Sequence, residues 1–146
     1  IFAGRAGNLR NAATSEGFTG NVQGKKASDL EERFAGVLSS DSRVQSFTFR
    51  LVTGAPGATM FGAAELDFYI RAGPIYLVQL DGDWIHKSAG QREQDRVQDD
   101  RIWQELRHQN PQPISRIRGS LIQDFEHTRR VVNQLFMGRV FRPEVA

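Results

Sequence analysis

The sequence predicts a single α/β domain. Three observations carry that expectation. Apolar residues recur at helical spacing near the start (Leu30, Phe34, Val37, Leu38), three extended runs follow between residues 46 and 80, and the second half returns to helical periodicity with one short strand inserted. The order is therefore helix, three strands, helix, strand, helix, and 146 residues are enough to bury one continuous core.

Residues 1–27 read as a flexible basic N-terminal segment. Gly4, Gly7, Gly17, Gly20 and Gly24 interrupt any periodicity, and Arg5, Arg10, Lys25 and Lys26 are opposed only by Glu16. Such an arm can lie along phosphates, or serve as a solvated linker. The remaining domain, 28–146, opens with Ser28 and Glu31 at capping-box spacing, which starts a helix that ends in the run Ser39 to Ser42. Ser46 to Thr53 alternates in part and reads as a half-buried strand. A loop with Gly54, Pro56 and Gly57 leads to a second strand, Glu65–Ile70. After the Gly73-Pro74 turn, Ile75–Leu80 is nearly continuous in apolar residues, the pattern of a central strand, and it stops at Asp81-Gly82. Arg92 to His108 is a charged helix terminated by Pro111 and Pro113, Ile114–Arg118 a short strand, and Ser120 with Gln123 the capping signature of a last helix carrying Leu121, Phe125, Val132, Leu135 and Phe136.

Composition excludes several classes. There are no cysteines, so neither a disulfide scaffold nor a thiolate metal site is available, and a reducing, cytoplasmic setting is expected. No apolar run approaches the roughly 18 residues of a membrane span. The net charge of +2 does not by itself imply a nucleic-acid partner. Because the chain begins at Ile1 and not Met, it is expected to be either a piece of something longer, with an upstream domain missing, or a processed chain.

The chemistry-bearing residues cluster around the strands. Asp67 lies inside the second strand and Asp81 at the end of the third, where a carboxylate is costly unless its charge is compensated. A divalent cation is one compensator, and Asp67, Asp81 and the Leu80 carbonyl are hard oxygen donors. An arginine partner for Asp67 and a simple turn role for Asp81 are the alternatives. His86 follows in the loop, able to take a proton from water near neutral pH. On the second helix, at about 100° per residue, Asp95, Asp99, Ile102 and Leu106 share one face, whereas Asp100 points away. The core-facing stripe thus begins with two acids, and Asp95 is the natural partner for His86; a solvated first turn is the alternative. Glu31 borders the apolar sector of its helix, so it can either reach a cleft or complete its cap.

Taken in order, Asp29-Leu30-Glu31-Glu32-Arg33-Phe34-Ala35, Leu66-Asp67-Phe68, Leu80-Asp81-Gly82-Asp83-Trp84-Ile85-His86, Asp95 and Ile114-Ser115-Arg116-Ile117 resemble the very-short-patch-repair (Vsr) endonucleases and the EDxHD phage homing endonucleases of the PD-(D/E)xK class. The resemblance implies a restriction-endonuclease-like core, a central mixed sheet of about four strands flanked by helices. It further implies Mg²⁺-dependent (or Mn²⁺-dependent) hydrolysis of double-stranded DNA, with a phage or mobile-element origin, by a chain working as part of a larger enzyme or a homodimer. Asp67 would anchor the metal, helped by Asp81, the Leu80 carbonyl and Gln79; His86 would activate water, Asp95 orient it, and Glu31 stand behind them. Lys25, Lys26, Lys87, Arg116 and Arg118 are the DNA-contact candidates, with Arg129, Arg130, Arg139 and Arg142 nearby in sequence. Two departures stand out. The third strand offers Gln79-Leu80-Asp81 where the class often has Glu-x-Lys, so no lysine is expected in the site; and the cysteine zinc ligands of Vsr enzymes are missing. An inactive nuclease-like module that binds DNA or protein is the competing reading, and an enzyme acting on RNA or single strands a third.

Overall fold

The computed structural model describes residues 17–53 and 64–144. The first helix, α1 (Asp29–Ser40), begins at a complete capping box: Ser28 Oγ accepts from the Glu31 N–H and Glu31 Oε1 accepts from the Ser28 N–H. Phe34, Val37 and Leu38 on its stripe are at most 3% exposed. Strands β3 (Ser46–Thr53), β4 (Ala64–Arg71) and β5 (Ile75–Asp81) form an antiparallel meander. The chain then crosses through α2 (Ala89–Leu106) to β6 (Ser115–Arg118), which pairs parallel to β5, and finishes in α3 (Phe125–Phe136). The strand order is β3-β4-β5-β6, so the α/β class and the four-stranded mixed sheet flanked by helices are as expected. The loop at Gly54, Pro56 and Gly57 lies outside the described residues.

Two apolar layers hold the helices on. Phe34, Phe49, Phe68, Ile70, Val78, Ile117 and Val132 belong to the larger one, on the face covered by α1 and α3. On the opposite face Leu66, Tyr69 and Leu77 pack under Ile102 and Leu106 of α2. Those two are the only fully buried side chains of α2, so its N-terminal part stands away from the sheet and keeps its charges half-buried or in water.

Residues 17–27 differ from the unstructured lead-in that their glycines suggest. Short strands β1 (Asn21–Val22) and β2 (Lys25–Lys26) form a hairpin. Its two turn residues, Gln23 and Gly24, both have positive φ (53° and 80°), the primed-turn conformation that matches strand twist. Three anchors hold the hairpin. Glu32, 2% exposed, accepts from the N–H groups of Thr19 and Gly20 and from the Thr19 hydroxyl. The Gln23 side-chain amide donates to Phe47 O and accepts from Phe49 N at 2.8 Å each, as a neighbouring strand would. Lys25 Nζ donates to the carbonyls of Phe49 (2.8 Å) and Arg50 (3.1 Å), so Lys25 holds the protein's own backbone where the sequence suggests a DNA contact. Residues 1–16 lie outside the described residues.

Three local differences have simple causes. The expected cap Ser120 lies in a 3₁₀ turn (Gly119–Leu121), and α3 is capped by Asp124, whose carboxylate accepts from His127 N at 2.7 Å. The start of α2 is set by a second capping box, Ser88 with Gln91, three residues before the expected beginning. And the ends of β5 and β6 approach closely at two glycines: a Cβ on Gly119 would lie 2.9 Å from Leu30 Cδ1 and 3.0 Å from Gly82 Cα. Gly119→Ala must therefore displace the Leu30 side chain and press on the Gly82 backbone. The expected outcome is a loss of about 1–3 kcal/mol in thermal or urea unfolding, and unchanged stability would show that the contact relaxes freely.

Candidate active site at the sheet fork

The regular pairing of β4 with β5 ends at Phe68 opposite Val78. Beyond it, side chains replace backbone. The Asp67 N–H donates to Gln79 Oε1 (2.8 Å), Gln79 Nε2 donates to Glu65 O (3.1 Å), and the Leu80 N–H donates to Asp67 Oδ2 (2.7 Å). The two strands thus diverge around an amide and a carboxylate, while β3–β4 pairing continues to Thr53–Ala64 and β5–β6 pairing to Asp81–Arg118. The fork is reinforced across β4. Arg50, opposite Asp67, leaves the ladder with φ 57°, an unfavourable conformation for a side-chain-bearing residue. On passing it, the buried residues change face: Phe49 and Phe68 pack toward α1 and α3, whereas Leu51 and Leu66 pack toward α2. Arg50 is held there by Glu65 (3.0 Å) and by Lys26 O (3.2 Å).

Asp67 is half-buried in this fork and makes no ion pair among the described residues. Desolvation pushes its carboxyl up to about 7, with the negative charges of Glu31 and Glu65 adding to the rise; the Leu80 N–H and the more distant Arg116 oppose it. Glu31 is therefore within electrostatic reach of Asp67 while still serving its cap.

On the α2 face of the sheet, continuing the alternation through Leu77 and Gln79, stands Asp81, 3% exposed. Lys87 Nζ lies 2.9 Å from Asp81 Oδ2 and 2.5 Å from Asp95 Oδ2. Arg116, the β6 neighbour of Gln79, places Nη1 3.5 Å from Asp81 and 3.8 Å from Asp95, and grips Asp99 through Nη2 (2.8 Å) and Nε (3.1 Å). Burial pulls the pKa of Lys87 down, but its bonds to Asp95 and Asp81 outweigh that and hold it above the usual ammonium range. Arg116 behaves likewise, burial being outweighed by Asp99, Asp95 and Asp81. The three acids and two cations form one network, to which Gln79 adds a 3.4 Å contact with Asp99.

The acids of α2 thus do face the strand end, but their partner is not the expected one. Asp95 is bonded to Lys87, while the His86 side chain is 81% exposed and, among the described residues, has only Asp83 within ion-pair reach, at 4.0 Å. The reason is the reach of the loop. Asp83, Ile85 and His86 are exposed, and Lys87 is the residue whose side chain reaches back to Asp81. The site therefore contains a lysine after all, supplied from the loop and not from β5. Asp81, given above as a metal ligand, is neutralised by two cations, and Gln79, also given as one, spends its oxygen on Asp67 and its nitrogen on Glu65. Lys87 and Arg116 both bond carboxylates, so neither is the free cation that the expected DNA contact supposed. Lys26 is exposed, and Arg118 is half-buried with its Nε unpartnered. Among the described residues no group of three or more His, Asp or Glu side chains is arranged to hold a metal ion. The sequence places Lys87 among the DNA contacts and not beside the acids, because His86 is the residue with the conventional chemistry; two acids on the sheet-facing stripe of α2, which call for a strong cation, were the available signal.

Two outcomes follow. Lys87→Ala strips Asp81 and Asp95 of their nearest cation and should cost about 1–3 kcal/mol in chemical denaturation, an effect that should shrink in an Asp81→Asn background. The second concerns Asp67. Its native pKa is raised above the unfolded value, so its contribution favours folding at low pH and is lost as pH rises through about 7. In metal-free protein Asp67→Asn should gain stability over wild type at pH 8, on the order of 1–3 kcal/mol, with little difference at pH 4; parallel unfolding curves at the two pH values check it.

No helix among the described residues is long and apolar enough to cross a membrane. No family model, curated protein or solved structure matches this chain.

Proposed function

We propose that the chain is a Mg²⁺-dependent DNA endonuclease with a restriction-endonuclease-like core, akin to the Vsr and EDxHD homing nucleases. The observation that carries the reading is Asp67: a carboxylate set into a strand fork, without an ion-pair partner among the described residues, raised by burial and by neighbouring acids to about 7. Such a group is short of one cation. Its environment suits Mg²⁺, which binds through one or two carboxylates, keeps several waters and does not require a closed all-protein cage. Asp67 would hold the ion with the Leu80 carbonyl, and Glu31 would add negative potential from α1. When bound, Mg²⁺ supplies charge neutralisation at the phosphate and a water of lowered pKa.

The chain's own residues would divide the remaining work. Lys87, held at the end of β5 by Asp81 and Asp95, would give its remaining N–H to a phosphate oxygen, stabilising charge that develops in the transition state. Asp81 and Asp95 position that ammonium, and Arg116 fixes both acids together with Asp99. Gln79 holds β4 and β5 apart, which keeps Asp67 in place. His86 is left as an exposed group in the loop, able to meet a substrate only from the solvent side.

A second reading is favoured by one feature. Asp81 is already neutralised by Lys87 and Arg116, so the network is electrically satisfied without a metal, as in a nuclease-like module that binds but does not cut. The two readings separate in one experiment. Plasmid nicking with Mg²⁺ or Mn²⁺ should be lost by about a hundredfold or more in Asp67→Asn, and Lys87→Ala should cost at least about tenfold more than His86→Ala. Equal nicking by wild type and Asp67→Asn overturns the site, and a larger loss in His86→Ala returns the central role to the imidazole. Calorimetric titration showing no Mg²⁺ or Mn²⁺ binding to wild type would leave the binding module.

A further inference from the structure

We infer that the cleft between α2 and the C-terminal segment takes an unpaired stretch of DNA strand, with bases stacked against Trp84 and Trp103. The choice of nucleic acid as ligand rests on the nuclease reading; the choice of an unpaired strand rests on the cleft. It encloses about 660 Å³ and is continuous with the charged network, because Asp95, Asp99 and Arg116 line it too. A concave space of this size admits small-molecule-sized groups such as bases, not the cross-section of a duplex. Its walls have the two components of single-strand recognition, aromatic faces and arginines. The Arg92 guanidinium sits 4.2 Å from the centre of the Trp84 ring and donates through Nη2 to Trp84 O (3.0 Å), which fixes both groups at the cleft wall. Arg92 Nε is buried without a partner, and Arg142 is exposed and makes no ion pair among the described residues.

The sign of the lining matters. Asp100 and Glu144 also face the cleft, so it is not a uniformly basic trough of the kind that follows a duplex backbone. A mixed-sign, aromatic pocket favours the neutral, hydrogen-bonding base over the phosphate. Arg142 then offers the phosphate contact outside.

The chain has two tryptophans and both line this cleft, so its tryptophan emission reports on the cleft alone. The test titrates the full chain, in EDTA and low salt, with a short single-stranded oligonucleotide and with its blunt duplex. The single strand should quench the emission and the duplex should do so at least about tenfold more weakly. Arg142→Glu and, separately, Trp103→Leu should each weaken single-strand binding about tenfold. Because Trp103 also packs on the α2 layer, Arg142→Glu, which lies on the surface, is the arm that does not risk folding. Equal quenching by duplex, or wild-type affinity in both variants, overturns the inference. Without metal the readout is independent of cleavage. Single-strand binding by a chain that never nicks DNA would overturn the nuclease reading alone. Nicking without single-strand binding would overturn this one alone.

Discussion

The parting of β4 and β5 organises the molecule. Two adjacent strands in a sheet normally satisfy each other's backbone groups, and an interruption leaves polar groups that must find other partners. Here the partners are the Gln79 amide and the Asp67 carboxylate, so the interruption is stabilised by the side chains it exposes to chemistry. The opposite strand accommodates it with Arg50 in a strained conformation, and the packing of β3 and β4 switches faces at the same point. Without the fork, Asp67 would be an ordinary strand residue. With it, a carboxylate is fixed within reach of the strand end that carries Asp81, while α2 brings two more acids over the same edge.

The charge arrangement follows from how little of α2 is buried. Ile102 and Leu106 are its only buried side chains, with Trp103 partly buried beside them, so the turns before them hang over the end of β5. Placing Asp95 and Asp99 there would be repulsive beside Asp81, and the fold answers with one lysine and one arginine. The arginines of the C-terminal third are accordingly less available than their number suggests. Arg116 is absorbed in the network, and Arg129 and Arg130 sit 3.6–3.8 Å from Glu126 on the surface of α3.

Much of the fold was legible because it is written in local patterns. The β3 limits coincide with the alternating run Ser46 to Thr53, the Ser28–Glu31 cap is present with both of its bonds, and the stripe from Asp95 to Leu106 does face the sheet. The differences have physical reasons. Ser88 with Gln91 has the same spacing as Ser28 with Glu31, but the glycine and charges after it hide the helix start; Ser120 with Gln123 has it too, yet Asp124 makes the cap. Glu32 points away from the apolar stripe, as helical geometry requires, but a distant segment, residues 19–20, folds over it and buries it. The choice between His86 and Lys87 depended on where one loop turns inward, and periodicity carries no information about that. Asp67 was visible as a charge inside a strand; the fork that explains it was not, since it is made by pairing between strands.

The side-chain amide of Gln23 has a consequence for how copies of this protein behave toward one another. Among the described residues β3 is an edge strand of the sheet, and its hydrogen-bonding groups at Phe47 and Phe49 would otherwise be open to any extended chain that drifted alongside. The small hairpin works as a stopper on that edge, filling it with a bond pattern that ends after one residue and cannot propagate. Trimming the chain past residue 24 would bare those groups as a template on which another extended chain could pair.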